Sequence, residues 1–188
     1  SHLSAVPAVV DGTVYVPFVS GADNPFKTLS EVVALDADTF NVQWKFESEE
    51  GVGVSVVPSE STVYFGADSE LYALNAANGE TRWITDTGTG SVRYVPAVTE
   101  NAIITAGLTG NSGYVSRVTR ESGEIEWVFN NIESTIKGSP AIDSGTVYIG
   151  SSDNSLYAIN LQSGIKEWEF QTDGWVASPS VADDTVYV

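Results

Sequence analysis

Cysteine is absent from this chain of 188 residues. That removes disulfides, thiolate nucleophiles, iron–sulfur clusters and cysteine-based zinc sites, and it leaves the redox compartment open. The only histidine is His2, so neither a histidine-based zinc site nor a Ser/His/Asp triad can be assembled within the chain. Methionine is absent too, even at position 1, so an excised or processed piece is expected, with Ser1 and His2 read as a terminal scar. Bases are scarce: 8 Lys and Arg stand against 25 Asp and Glu, giving a net charge of -17 and a pI near 4.1. A field of that sign repels nucleic acid phosphates and anionic lipid surfaces, so neither is expected as a partner. No apolar run approaches the ~20 residues of a membrane-spanning helix, and no membrane insertion is expected.

What the chain does contain is a repeat. Val14-Tyr15-Val16 recurs as Val63-Tyr64-Phe65, Ile103-Ile104-Thr105, Val147-Tyr148-Ile149 and Val186-Tyr187-Val188. A proline seven residues upstream recurs at Pro7, Pro96, Pro140 and Pro179, with Val56 in the second unit. Downstream, Leu71-Tyr72-Ala73-Leu74-Asn75 matches Leu156-Tyr157-Ala158-Ile159-Asn160, and more loosely Val32 to Asp36 and Val115 to Thr119. A tryptophan then closes each unit, at Trp44, Trp83, Trp127 and Trp168. Each unit reads as four short strands rich in Val, Tyr, Ile, Thr and Phe, separated by Gly, Asp, Asn and Ser, and no window has the spacing of an amphipathic helix. Tandem four-stranded antiparallel units of about 40 to 45 residues predict an all-β chain built as a β-propeller, because each sheet must bury its faces on its neighbours.

Between the third and fourth strands, Asn75-Ala76-Ala77-Asn78-Gly79 is echoed by Thr119 to Gly123 and Asn160 to Gly164. An Asx or Thr side chain that bonds the backbone two residues on, followed by a glycine free to take positive φ, predicts a tight turn. Phe40 stands where the other units have glycine, so the first turn is expected to differ in geometry.

The pattern Ala73, Asn75, Gly79, Trp83, repeated as Ala158, Asn160, Gly164, Trp168, resembles the tryptophan-docking motif of the pyrroloquinoline-quinone-like (PQQ-like) β-propeller repeat family. The third unit departs from it at Arg117 and Thr119, and the first at Phe40. The resemblance implies one segment over 1–188, with units at about 4–53, 54–93, 94–137 and 138–176 and a partial fifth at 177–188, cut from a propeller of seven or eight blades. It implies a structural role for Trp44, Trp83, Trp127 and Trp168 and for Gly79, Gly123 and Gly164. Dehydrogenases of the superfamily hold PQQ and calcium with carboxylates, a catalytic Asp and often paired cysteines; none of these can be matched here residue by residue, so no cofactor, metal or catalytic residue is assigned. Other relatives are non-enzymatic scaffolds, including a periplasmic-side lipoprotein of outer-membrane assembly, and the expected location is extracellular or at the cell surface.

Links between blades share a face with the connections between second and third strands. Counting four residues before each proline position gives Leu3, Val52, Val92, Ile136 and Trp175, and the next residue gives Ser4, Gly53, Arg93, Lys137 and Val176. Arg93 and Lys137 thus share a repeat phase near the channel mouth with Trp175 close by, a set able to hold a carboxylate or phosphate ligand. The plainer alternative pairs both bases with neighbouring acids and lays Trp175 over apolar surface. An insertion around Ser20 to Lys27 is a candidate recognition loop or a tolerated surface insertion. Asp36-Ala37-Asp38 and Ser151 to Ser155 offer hard oxygen atoms, without the arrangement of a calcium loop. Dispersed acids and few bases resemble halophile proteins, whose self-repulsion is screened at molar salt. The functional expectation is a non-enzymatic scaffold for a protein or small ligand, with pairing of two arcs into a ring as an outcome to test. The competing class is a fragment of a quinone-dependent dehydrogenase.

Overall fold

The computed structural model describes residues 6–20, 29–48, 55–87, 90–92, 94–183 and 185–188, and none of these is helical. The first sheet contains β1 (Ala8–Val10), β2 (Thr13–Ser20), β3 (Leu29–Asp36) and β4 (Val42–Ser48). The second contains β5 (Val57–Ser59), β6 (Thr62–Ala67), β7 (Glu70–Asn75) and β8 (Thr81–Asp86). After the short β9 (Ser91–Val92), the third contains β10 (Ala97–Val98), β11 (Ala102–Thr109), β12 (Ser112–Thr119) and β13 (Ile125–Ile132). The fourth contains β14 (Ala141–Asp143), β15 (Thr146–Gly150), β16 (Ser155–Asn160) and β17 (Lys166–Gln171), and β18 (Ser180–Ala182) pairs with β19 (Thr185–Tyr187). Each four-stranded sheet runs antiparallel in sequence order, and β9 adds to β11.

Two-residue turns set the register of the first hairpins. Asp11-Gly12 and Ser144-Gly145 take positive φ at both positions (47° and 73°, 47° and 82°), which matches the twist of the flanking strands. A second device recurs in all four sheets. The ladder between third and fourth strands shifts by one residue after Ala34, Ala73, Arg117 and Ala158, each of which faces a tryptophan. The extra residue of each bulge is the one before the tryptophan: Gln43, Arg82, Glu126 and Glu167.

Alternation along each strand gives every sheet two apolar faces, one for each neighbour. Tyr15, Val32, Ala34 and Trp44 of the first sheet pack with Phe65, Tyr72 and Leu74 of the second. Tyr64, Leu71 and Ala73 of the second meet Ile103 and Val118 of the third. Ile104, Val115 and Phe129 of the third meet Val147, Ile149 and Tyr157 of the fourth. Burial of each large side chain contributes about 1.5–3 kcal/mol, so the core is a series of inter-sheet layers. Among the described residues β18 and β19 alone follow the fourth sheet, and there Trp168 (41%) and Phe170 (59%) are exposed.

The turn at Phe40 corrects the sequence expectation. Phe40 takes φ 59°, close to the 74°, 76° and 69° of Gly79, Gly123 and Gly164. Its N–H bonds Asp36 O at 2.9 Å, just as Gly79 N–H bonds Asn75 O at 2.8 Å. The turn is the same because Asp36 caps it from both sides: Asp36 Oδ1 accepts from the amide and hydroxyl of Thr39, each at 2.7 Å. Part of the first-unit insertion lengthens β2 and β3, which pair as far as Ser20 and Leu29. The rest of that candidate loop, 21–27, lies outside the described residues.

Candidate functional site

The tryptophans tie each sheet to the next. Trp44 Nε1 donates to Ala76 O at 2.8 Å, Trp83 Nε1 to Arg120 O at 3.2 Å and Trp127 Nε1 to Leu161 O at 3.1 Å. Each acceptor lies three residues before the turn glycine, and the indole covers that glycine. A β-carbon at Gly79 would fall 2.7 Å from Trp44 Cε3, at Gly123 2.8 Å from Trp83 Cδ2, and at Gly164 2.6 Å from Trp127 Cδ2. Glycine is thus required twice, by its φ and by the ring lying on it. A tyrosine flanks the indole in three sheets, at 5.8 Å for Tyr15 and Trp44, 5.9 Å for Tyr64 and Trp83, and 5.8 Å for Tyr148 and Trp168. Trp168 has no hydrogen-bond acceptor among the described residues.

The face carrying the linkers also carries the second-to-third turns. Val92 N–H bonds Asp68 O at 2.6 Å, Ser152 N–H bonds Thr135 O at 2.9 Å and Val176 N–H bonds Ser151 O at 3.1 Å. Here Lys137 Nζ lies 4.7 Å from the centre of the Trp175 ring, which is 72% exposed. Among the described residues no carboxylate reaches Lys137. Arg93, the third member of the set, lies outside the described residues.

The repeat phase needs a correction. Val176, not Trp175, takes the buried position of the fourth linker: it is 3% exposed and packs on Gly150 as Val92 packs on Gly66. The linker before Pro179 is one residue shorter than the count from proline assumes, which leaves Trp175 outside the layer.

Acidic groups near the turns are engaged locally. Hydrogen bonds from the Thr39 hydroxyl and amide hold the Asp36 carboxyl below its ordinary pKa. Asp153 accepts from Ser155 N–H at 3.0 Å and from Tyr157 Oη at 2.9 Å; burial first, and then the Asp153 contact, push the Tyr157 hydroxyl up. Bonds from Lys166 and Ser155 hold Glu169 down. Among the described residues no three His, Cys, Asp or Glu side chains converge. Asp36, Asp153 and Glu169 are thus engaged within their own sheets, and among the described residues no carboxylate cluster fits a calcium-held quinone.

The bulged residue before each tryptophan was missed by sequence reasoning. Gln43 meets Thr13 at 3.4 Å, Arg82 meets Ser61 O at 3.0 Å and Glu167 meets Thr146 at 3.1 Å, so this position braces the outer strand to the first hairpin. Aligning the units on tryptophan would have exposed the position, since it holds a neutral residue, a base and two acids.

The family model described as "Outer membrane protein assembly factor BamB" matches residues 28–188. The chain belongs to this family. One relative is the outer membrane protein assembly factor BamB of Yersinia pestis, 24% identical over 119 residues, spanning 61% of this chain and 29% of that protein. Another is the quinohemoprotein alcohol dehydrogenase ADH-IIG of Pseudomonas putida, 28% identical over 160 residues, spanning 74% of this chain and 20% of that protein. The chain therefore spans less than a third of the length of these BamB and dehydrogenase relatives. The crystal structure of BamB from Moraxella catarrhalis superimposes with a TM-score of 0.73 at 21% identity, covering 97% of this chain and 53% of that one. This likeness shows the fold, a β-propeller assembled from PQQ-like repeats.

Proposed function

We propose that the chain is a non-enzymatic propeller scaffold that binds a protein or small ligand on its linker face, at an extracellular or cell-surface location. The observation that carries this reading is the Trp175 ring, exposed and held beneath Lys137. An ammonium over one face of an indole leaves the other face open for stacking, while its remaining donors point to solvent and suit a carboxylate or phosphate. Arg93 completes the set in this reading. The relatives named as assembly factors for outer membrane proteins support a protein partner and a location outside the cytoplasm. The acidic surface is part of the proposal: at molar salt the Debye length falls to about 3 Å and self-repulsion is screened.

The test is titration with inorganic phosphate and with citrate, followed by tryptophan fluorescence. Replacing Arg93 and Lys137 together by Gln should abolish the response, and unchanged binding overturns the site. A melting temperature that climbs with salt into the molar range supports the acidic adaptation, whereas a flat response removes it. The dehydrogenase relative motivates the competing enzyme reading. Appearance of bound-quinone absorbance on adding PQQ and calcium would decide for that reading and against the scaffold.

A further inference from the structure

On the face opposite Trp175, a cleft of about 480 Å³ opens between the second and third sheets. We propose that it binds a small zwitterion of dipeptide size, with the ligand carboxylate on Arg82 and the ligand ammonium between Glu100 and Glu121. The volume lies within the range of small-molecule sites, about 300–1,000 Å³.

Arg82 is the bulged residue before Trp83, so its side chain leaves the ladder and crosses to the first hairpin. There Nη2 donates to the carbonyl and the hydroxyl of Ser61, both at 3.0 Å. Its Nη1 and Nε have no acceptor among the described residues. A guanidinium anchored at one nitrogen on the wall of a cleft, with further donors unused, is preorganised for a carboxylate.

Arg120 forms the opposite wall and is not available to a ligand. It donates to Tyr64 Oη at 3.2 Å, to Ser59 Oγ at 3.2 Å and to Glu100 O at 3.2 Å, and it pairs with Glu60 at 3.1 Å. Glu100 and Glu121 line the same cleft, and no cation reaches either carboxylate among the described residues. Of five charged side chains around the cleft, the Arg120 and Glu60 pair cancels, leaving one free guanidinium and two free carboxylates. A simple anion meets a net negative rim, and a simple cation leaves Arg82 without its acceptor. A zwitterion satisfies both.

The arrangement is peculiar to this dock. The bulged residue is Gln43, Glu126 or Glu167 in the other sheets. The residue under the indole nitrogen is Ala76 or Leu161 in the other two docks, where the second has Arg120.

The test is calorimetric titration with glycylglycine at neutral pH, with acetate and ethylamine as its two halves. Glycylglycine is expected to bind at millimolar concentration or below, with each half at least about ten-fold weaker, the loss expected for one charge-assisted contact. Arg82→Gln copies the bulge of the first sheet, so it should keep the melting temperature while weakening glycylglycine about ten-fold or more. Glu100→Gln with Glu121→Gln should weaken glycylglycine and leave acetate unaffected or tighter. Lys137→Gln with Trp175→Ala should change nothing here, which separates this cleft from the linker face. No glycylglycine binding, acetate binding as tight as glycylglycine, or full affinity in Arg82→Gln overturns the proposal.

Discussion

The second and third sheets seat their tryptophans on the same kind of turn and build different floors beneath them. Under Trp83 lie Tyr64 and Ala73, paired across the strands, with the tyrosine ring 5.9 Å from the indole. Under Trp127 the paired residues are Ile104 and Arg117. The smaller residue has moved from one strand to the other, so the layer keeps its thickness while the aromatic ring is replaced by an aliphatic side chain and a guanidinium. The bulge supplies the partner for that charge: Glu126, the extra residue of the third sheet, pairs with the buried Arg117. The carbonyl acceptor and the glycine of the dock are the same in both sheets, whereas the floor is interchangeable. A dock therefore needs one backbone geometry and one filled volume, and the second can be met in more than one way.

Removing an indole should break this comparison most strongly. Trp44→Ala deletes a ring that is 7% exposed and leaves Ala76 O with only its longer bond from Tyr15 Oη, and should cost about 3–5 kcal/mol in chemical denaturation. Trp168→Ala, at 41% exposure and without an acceptor among the described residues, should cost less, about 1–2 kcal/mol. Equal losses would refute the dock as the stabilising unit. Arg117→Ala should cost about 2 kcal/mol, through the volume lost beneath Trp127 and the unpaired Glu126. Adding Ile104→Tyr to it should recover at least half of that loss, because the pair then matches the second sheet. Simple additivity of the two substitutions would show that the floors are not interchangeable.

Smaller effects separate the first turn from the others. Gly79→Ala drives a β-carbon into Trp44 and should destabilise, by about 1–3 kcal/mol. Phe40→Gly should be neutral or stabilising by up to about 1 kcal/mol, since it relieves positive φ on an exposed side chain and gives some of that back as chain entropy. The smallest effect is one of pH. Asp36 is held below its ordinary pKa in the folded chain, so its contribution is present above that ordinary value and is lost as pH falls through the lower folded one. Asn75 and Asn160 cap the equivalent turns and do not titrate. Carboxyl shifts followed by NMR should therefore find acid-induced loosening at 37–40 and none at 76–79 or 161–164.

Strand order and turn geometry were legible because the units repeat the residues that cause them: triplets of β-branched and aromatic residues, an Asx or Thr at the turn, a tryptophan and, in all but the first unit, a glycine. Phe40 misled because glycine is the usual occupant of positive φ, yet the capping of the turn by Asp36 is strong enough to hold a phenylalanine there. Trp175 was placed near Lys137 but given the wrong neighbour in the layer, since a count from proline fixes the length of a linker that varies by one residue. The Arg82 cleft left little trace, because its walls come from residues 38 positions apart whose meeting depends on one sheet docking on the next. Its one local sign was the change of charge before each tryptophan.

Every dock points the same way, from the outer strand of one sheet to the turn of the following sheet. The chain of sheets therefore has a direction, and its two ends are unlike. Taking away a following sheet bares an indole with an unpaired N–H, whereas taking away a preceding sheet bares the apolar layer of its neighbour, such as Phe65, Tyr72 and Leu74, together with a glycine turn and a carbonyl that water can satisfy. Both losses uncover apolar surface, but only loss from the trailing end also strands an indole N–H.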